Sequence, residues 1–312
     1  MKIVFFGSPP AALPSLDALL EAGHSVELVI TQPDRPAGRG RKLRPSAVKV
    51  FAIARGLPVL EPASIRKDES VLGKLQSVRP DIHVVAAYGQ FLPASITNFP
   101  PRHSVNVHFS LLPKYRGASP VQWAIMNGET RTGVTIFELN ERMDEGNILA
   151  MEATDIQPRE TAHVLEMRLA ALGAALLIRT LKDIDHIVSV PQDHSLATLA
   201  PKIRKEEGAI DWCEEAAAVD RRVRAFQPWP SAFSFLEEKR VQIHRGLALG
   251  TRCITSPPGT VLALGKGGLD VACGGGSTYR IESIRPEGKK EMDAHAFSLG
   301  AGVRAGDVFS RS

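Results

Sequence analysis

From residue 2 to residue 181, short runs rich in β-branched and aromatic residues alternate with longer amphipathic runs, and this alternation constrains the fold more than any other feature of the chain. The predicted order is strand 2–7, helix 13–21, strand 26–31, helix 47–55, strand 57–60, helix 69–77, strand 82–87, strand 104–107, helix 120–127, strand 133–139 and helix 162–181. A chain built this way places helices on both faces of a mostly parallel sheet, the α/β class. Ligands of such sheets bind beyond the carboxyl ends of the strands. Asn106-Val107-His108 and Met143-Asp144-Glu145-Gly146 both follow predicted strands, so both are expected at that edge. Gly7-Ser8 after the first strand lacks GxGxxG spacing, because Pro9-Pro10-Ala11-Ala12 follows. The glycine turn of a dinucleotide site is therefore missing.

Near residue 190 the texture changes. A polar, charge-rich connection runs over 190–207, and beyond it lie short strand-like pieces at 233–236, 241–244, 259–263, 269–272 and 279–284. Strands of that length and spacing suggest a small barrel. The expected organisation is an α/β domain over 1–189, a linker over 190–207 and a barrel domain over 208–312, which suits a chain of 312 residues. No run approaches the roughly 18 apolar residues of a membrane span. Three cysteines (Cys213, Cys253, Cys273) are too few and too scattered for a disulfide framework or a CxxC metal site. A cytoplasmic protein without membrane or metal is the expectation.

Asn106 and His108 are two residues apart on a strand, so their side chains project from one face. An amide N–H can hold an oxygen that gains charge in a tetrahedral intermediate. An imidazole can do the same or move a proton, and a carboxylate such as Asp144 would orient the ring. No serine or cysteine nucleophile accompanies them. Direct transfer at a carbonyl carbon is thus more natural than an acyl-enzyme. Each residue alone is more often structural; only the combination at a sheet edge points to chemistry.

The net charge of +4 is local in origin. Residues 31–50 hold Arg35, Arg39, Arg41, Lys42, Arg44 and Lys49 against Asp34, a net +5, leaving −1 for the remaining 292 residues. Pro33, Pro36 and Pro45 stiffen the segment, while Gly38 and Gly40 permit bends, as in a surface loop. Such a charge could neutralise several phosphates, and would equally suit a nucleotide or an acidic small molecule. Phe226-Gln227-Pro228-Trp229-Pro230 could stack a base, but reads better as a hydrophobic anchor of the second domain.

Taken together these residues resemble the methionyl-tRNA formyltransferase family, over essentially the whole chain. Asn106-Val107-His108 with Ser110-Leu111-Leu112-Pro113, and Asp144-Glu145-Gly146 after Val134-Thr135-Ile136, mark the wider formyltetrahydrofolate transferases. The narrower resemblance rests on 31–40 (TQPDRPAGRG), Ala200-Pro201-Lys202-Ile203, Ile210-Asp211-Trp212, Arg224-Ala225-Phe226 with Pro228-Trp229-Pro230, and Glu287-Gly288-Lys289-Lys290. It implies a Rossmann-like domain followed by an OB-like β-barrel. It also implies formyl transfer from 10-formyltetrahydrofolate to the α-amine of methionyl initiator tRNA, by a monomer. In that scheme Asn106 and His108 bind the formyl oxygen, and Asp144 pairs with His108 and helps a water take the amine proton. Ala87, Tyr88, Gly89, Gln90 and Ser110, Leu111, Leu112, Pro113 border the folate. Arg35, Arg39, Arg41, Lys42 and Arg44 meet the tRNA. Phe109, Pro10-Ala11 and Asn147 depart from the family pattern and bear on substrate affinity. An amino-sugar formyltransferase and a formate-releasing hydrolase share the catalytic logic, and a catalytically idle RNA-binding module built on the barrel is the alternative from another class.

Overall fold

A computed structural model describes residues 1–37, 42–250 and 255–311. Its contacts divide the chain into two units: 1–120, 131–155 and 165–201 form one, and 121–130, 156–164 and 202–312 the other. Each is described by itself.

The first unit is built on strands β1 (Lys2–Gly7), β2 (Ser25–Ile30), β5 (Val59–Leu60), β6 (Ile82–Ala86), β7 (Ser104–His108), β8 (Arg131–Glu138) and β9 (Ile148–Asp155). Helices α1 (Leu13–Glu21), α2 (Ala47–Ala54), α3 (Glu69–Val78), α4 (Ala94–Thr97), α5 (Pro120–Met126) and α6 (Ala162–Lys182) punctuate them, although α5 and the start of α6 count with the second unit. The sheet order is β5-β2-β1-β6-β7-β8-β9. The first five run parallel, as the alternation predicts, and their buried apolar runs lie between helices. Capping explains where helices start: Ser46 accepts from the Lys49 N–H at α2, and Asp68 from the Ser70 N–H at α3.

Two features differ from expectation. Strand β9 was not anticipated; it is half-buried along its length and shows no alternation to read. Strand β8 runs antiparallel to β7, pairing Val105 with Glu138 and His108 with Thr135. Its carboxyl end therefore lies at the amino end of β7, about 10 Å from His108 along the strand. Asp144 does not reach the site by following a strand to the ligand-binding edge. The excursion over 139–147 folds back to bring it there.

Part of the basic segment, read as a loop, is paired. Strands β3 (Arg35–Ala37) and β4 (Lys42–Arg44) form a two-stranded antiparallel ladder with Arg35 opposite Arg44.

In the second unit β10 (Ala232–Leu236), β11 (Lys239–Leu249), β12 (Val261–Gly265), β13 (Gly268–Ala272), β14 (Thr278–Pro286) and β16 (Phe309–Ser310) make one antiparallel sheet in the order β12-β13-β14-β11-β10-β16, with β15 (Met292–Asp293) beside β14. Backbone bonds join its two ends, from the Val261 N–H to the Asp307 carbonyl and from the Phe309 N–H to the Gly259 carbonyl, both 2.8–2.9 Å. The sheet thus curls into a small OB-like barrel. Helices α7 (Ala216–Ala225) and α8 (Ala294–Ala301) flank a core of Trp212, Val219, Val223, Ile243, Val271, Tyr279, Ile281 and Phe309. Trp212 Nε1 donates to Ser234 Oγ at 3.0 Å, so the indole is buried without an orphaned donor. Phe226 is buried and Trp229 is 55% exposed, and neither belongs to that core cluster.

Candidate active site

Strand β7 sets Asn106 and His108 on one face, and β8 places Phe137 and Thr135 directly opposite them. Phe137 meets the His108 ring edge-on at 6.2 Å between centroids. His108 is 6% exposed and Asp144 7% exposed, so neither charge is strongly screened by water. His108 Nε2 lies 3.0 Å from the Tyr115 carbonyl oxygen. A carbonyl only accepts, so Nε2 carries a proton and Nδ1 is the nitrogen left for other work. Nδ1 lies 3.7 Å from Asp144 Oδ2, too long for a hydrogen bond, and the two pair as ions only when the ring carries a second proton. The Gly117 N–H holds Asp144 Oδ2 at 2.8 Å. Asn106 is only partly buried, and among the described residues no hydrogen bond of its carboxamide is found. The arrangement presents an amide donor, an imidazole with one free nitrogen, and a carboxylate able to compensate an imidazolium. That suits an oxygen gaining negative charge beside a proton acceptor.

The remaining site candidates divide into groups. Ser110 is fully buried, donating from Oγ to the Lys114 carbonyl at 2.6 Å, while its own carbonyl accepts from Thr135 Oγ1 at 2.7 Å. The Leu112 N–H donates to Thr135 Oγ1 at 3.1 Å, and Leu112 is 2% exposed. These two shape the turn after β7 and present no side chain to a ligand; Leu111 and Pro113 are half-buried and can. In the turn after β6, Tyr88 is internal, and burial raises its hydroxyl pKa far above the usual value. Its carbonyl accepts from Gln32 Nε2 at 2.7 Å. Gln90 is also committed, accepting from the Ile65 N–H at 2.9 Å and donating to the Pro62 carbonyl at 3.3 Å. Ala87 and Gly89, both at positive φ, leave accessible backbone.

Of the basic segment, Arg35 and Arg44 are exposed on the β3–β4 ladder, and among the described residues neither forms an ion pair. The Arg35 guanidinium reaches the Gln32 side chain. Arg39 and Arg41 lie outside the described residues, and of Lys42 only the backbone is described. Lys49 is different: its ammonium is 2.7 Å from Asp34 and 2.8 Å from Glu61, a pairing that raises its pKa and more than offsets its charge.

Sequence reasoning missed Arg116 and Gln192. Both are buried at 5% exposure and bond to each other, and Gln192 also bonds to the backbone around Asp144. Among the described residues no cluster of three or more His, Cys, Asp or Glu is placed to hold a metal, and no helix is long and apolar enough to cross a membrane.

Comparisons with known proteins bear on the family and the fold. The formyl transferase family model matches residues 1–181, and the model of the formyl transferase C-terminal domain matches 202–302. The methionyl-tRNA formyltransferase of Geotalea uraniireducens is 42% identical over 100% of this chain and 98% of its own length. Among solved structures, HypX from Aquifex aeolicus superposes with a TM-score of 0.67 at 18% identity, over 98% of this chain and 48% of that one. Methionyl-tRNA formyltransferase from Clostridium thermocellum gives 0.58 at 17% identity, over 79% and 93% respectively. At such identities the structural likeness speaks for the fold, and the full-length sequence match decides the family. The chain belongs to the methionyl-tRNA formyltransferase family, with both of the formyl transferase domains.

Proposed function

We propose that the protein transfers the formyl group of 10-formyltetrahydrofolate to the α-amine of methionyl initiator tRNA, acting as a cytoplasmic monomer without a metal. The observation that carries this reading is the buried His108–Asp144 pair on the face of β7 that also bears Asn106. In this reading the amine nitrogen attacks the formyl carbon, and the carbonyl electron pair moves onto oxygen. Asn106 Nδ2 and a protonated His108 Nδ1 hold that oxyanion, with Asp144 compensating the imidazolium. The new C–N bond stays, the bond to N10 of the folate breaks, and N10 takes up a proton as tetrahydrofolate leaves. The proton lost by the attacking amine passes through a water to Asp144 and on to solvent. General acid–base help of this kind is worth about 10²–10⁴-fold.

The folate is assigned to the turn at 87–90 and the turn at 110–113, chiefly through the Ala87 and Gly89 backbone and through Leu111 and Pro113. Arg35, Arg39, Arg41, Lys42 and Arg44 are assigned to the acceptor end of the tRNA, and the barrel over 208–312 to its arm. The test is an acceptor panel with 10-formyltetrahydrofolate as donor: charged initiator tRNA, glycinamide ribonucleotide, a nucleotide-linked amino sugar, and water alone. Formylation of the charged tRNA with stoichiometric tetrahydrofolate release is expected. Formylation of a small amine with the tRNA ignored, or formate release without an acceptor, would overturn the assignment.

A further inference from the structure

Asp144 sits in the left-handed region, with φ of 54°, a conformation that a non-glycine residue holds only when its surroundings fix it. What fixes it lies far away in sequence. The Gln192 carboxamide donates from Nε2 to the Asp144 carbonyl and to the Gly146 carbonyl, each at 2.8 Å. Its Oε1 accepts from Arg116 Nε at 3.1 Å and Nη2 at 2.7 Å. Both hydrogens and both lone pairs of the amide are therefore used. The amide has one orientation only, since a flip would set its NH2 against the guanidinium and its oxygen against two carbonyls. Arg116 also lies 3.3 Å from Glu145 Oε1, so the same pair of side chains touches all three residues of the Asp144-Glu145-Gly146 turn.

The segment carrying Gln192 is itself laced to the site. The Arg116 N–H donates to the Thr198 carbonyl at 2.9 Å, the Ala200 N–H to the Arg116 carbonyl at 2.7 Å, and the Tyr115 N–H to Thr198 Oγ1 at 2.9 Å. Tyr115 in turn supplies the carbonyl that fixes the His108 tautomer. Val190 and Ile148 exchange both backbone bonds at the start of β9. Residues 190–200, within the segment 190–207 expected to be a linker, bond to the loops that hold His108 and Asp144 and count with the first unit.

We infer that Gln192, gripped by Arg116, is the positioning residue for the Asp144 carboxylate. It touches no reacting atom and acts by fixing the backbone from which Asp144 projects. The inference rests on the reading of Asp144 as proton acceptor. A misplacement of about 1 Å in such a group can cost about 10²-fold in rate. Two variants separate the parts. Gln192→Met removes all four bonds at similar volume. Gln192→Glu keeps an acceptor for Arg116 but has no hydrogen to offer the two carbonyls.

In formylation of charged initiator tRNA, both variants are expected to lower kcat about 10- to 100-fold, with KM for tRNA and folate within about twofold of wild type. Combined with Asp144→Asn, Gln192→Glu is expected to add almost nothing, because the carboxylate it positions is already gone. Hydrogen exchange gives a readout that needs no substrate. The Gly117 amide, held by Asp144 Oδ2, is expected to exchange faster in both variants while the β1, β6 and β7 amides keep their wild-type protection. Unchanged kcat, a KM effect alone, full additivity with Asp144→Asn, or exchange raised throughout the sheet would each overturn the inference. If the wild-type enzyme formylates no tRNA, the functional reading fails, and the Gly117 exchange still decides whether Gln192 positions Asp144.

Discussion

His83 offers the most quantitative test of the packing beneath the site. It lies on β6 and is fully buried. The Phe6 ring meets it edge-on at 5.2 Å, and the Phe99 ring stacks on it at 6.4 Å with 3° between planes. Ser104 Oγ donates to the Thr97 carbonyl at 2.8 Å, so it is free to accept from His83 Nδ1 at 3.1 Å, and the ring is held neutral. Burial lowers its pKa from 6.5 to about 3. The folded state therefore binds fewer protons here than the unfolded state whenever the pH is below 6.5. The contribution to stability is complete above that value and is lost as pH falls toward about 3. From these two pKa values the loss is about 2 kcal/mol at pH 5, approaching about 5 kcal/mol at the acid limit.

His83→Leu removes the titration while leaving Ser104 bonded to Thr97. Its fixed cost or gain is the same at every pH, so only the difference between the two pH profiles matters. Urea unfolding of both proteins near pH 8 and near pH 5 measures it. Wild type is expected to lose about 2 kcal/mol more than the variant over that interval, or ~4–8 °C in Tm for a unit of this size. Parallel profiles would refute the reasoning, because they would mean that His83 charges as easily in the folded protein as outside it.

Three further outcomes follow from the same structure. Asp144→Asn, which keeps the shape but not the charge facing His108 Nδ1, is expected to reduce kcat about 10²–10⁴-fold with little change in KM, measured by single-turnover formylation. Arg35→Ala with Arg44→Ala is expected to raise KM for charged tRNA and to flatten its dependence on salt by about one to two units of log–log slope. Folate affinity should stay constant in the same titrations. Trp212→Ala, which empties the barrel core between Tyr279 and Phe309 and leaves Ser234 Oγ without its donor, is expected to cost about 3–5 kcal/mol in chemical denaturation.

Much of the first unit was legible because its information is local. The helix at 13–21 and the strand at 2–7 are marked by apolar spacing and end at the residues expected. The pairing of Asn106 with His108 needed only the period of a strand. What could not be read is direction and distance. Nothing in the run 131–138 distinguishes a parallel from an antiparallel neighbour, so the path that brings Asp144 beside His108 could not be read. Arg116 and Gln192 are 76 residues apart, and each looks like an ordinary loop polar until burial and hydrogen bonding are seen together. Ser110, Leu112 and Tyr88 were expected beside the folate. Their side chains face inward, which a turn's composition does not reveal. Lys49 was counted with the basic patch because Glu61, its second partner, lies beyond α2, just after β5.

The return path of the 139–147 excursion has a consequence for how such an enzyme can vary. Its neck is closed by the Glu138 N–H donating to the Asn147 carbonyl at 2.9 Å, and the β8–β9 ladder resumes at once with Phe137 opposite Ile148. The sheet is therefore complete without reference to what the excursion carries. The carboxylate is mounted on a cassette whose seam is ordinary β pairing and whose far end is clasped by Gln192, Arg116 and the Gly117 amide. Sheet and cassette can drift, lengthen or be transplanted separately, provided that the clasp is carried with the cassette.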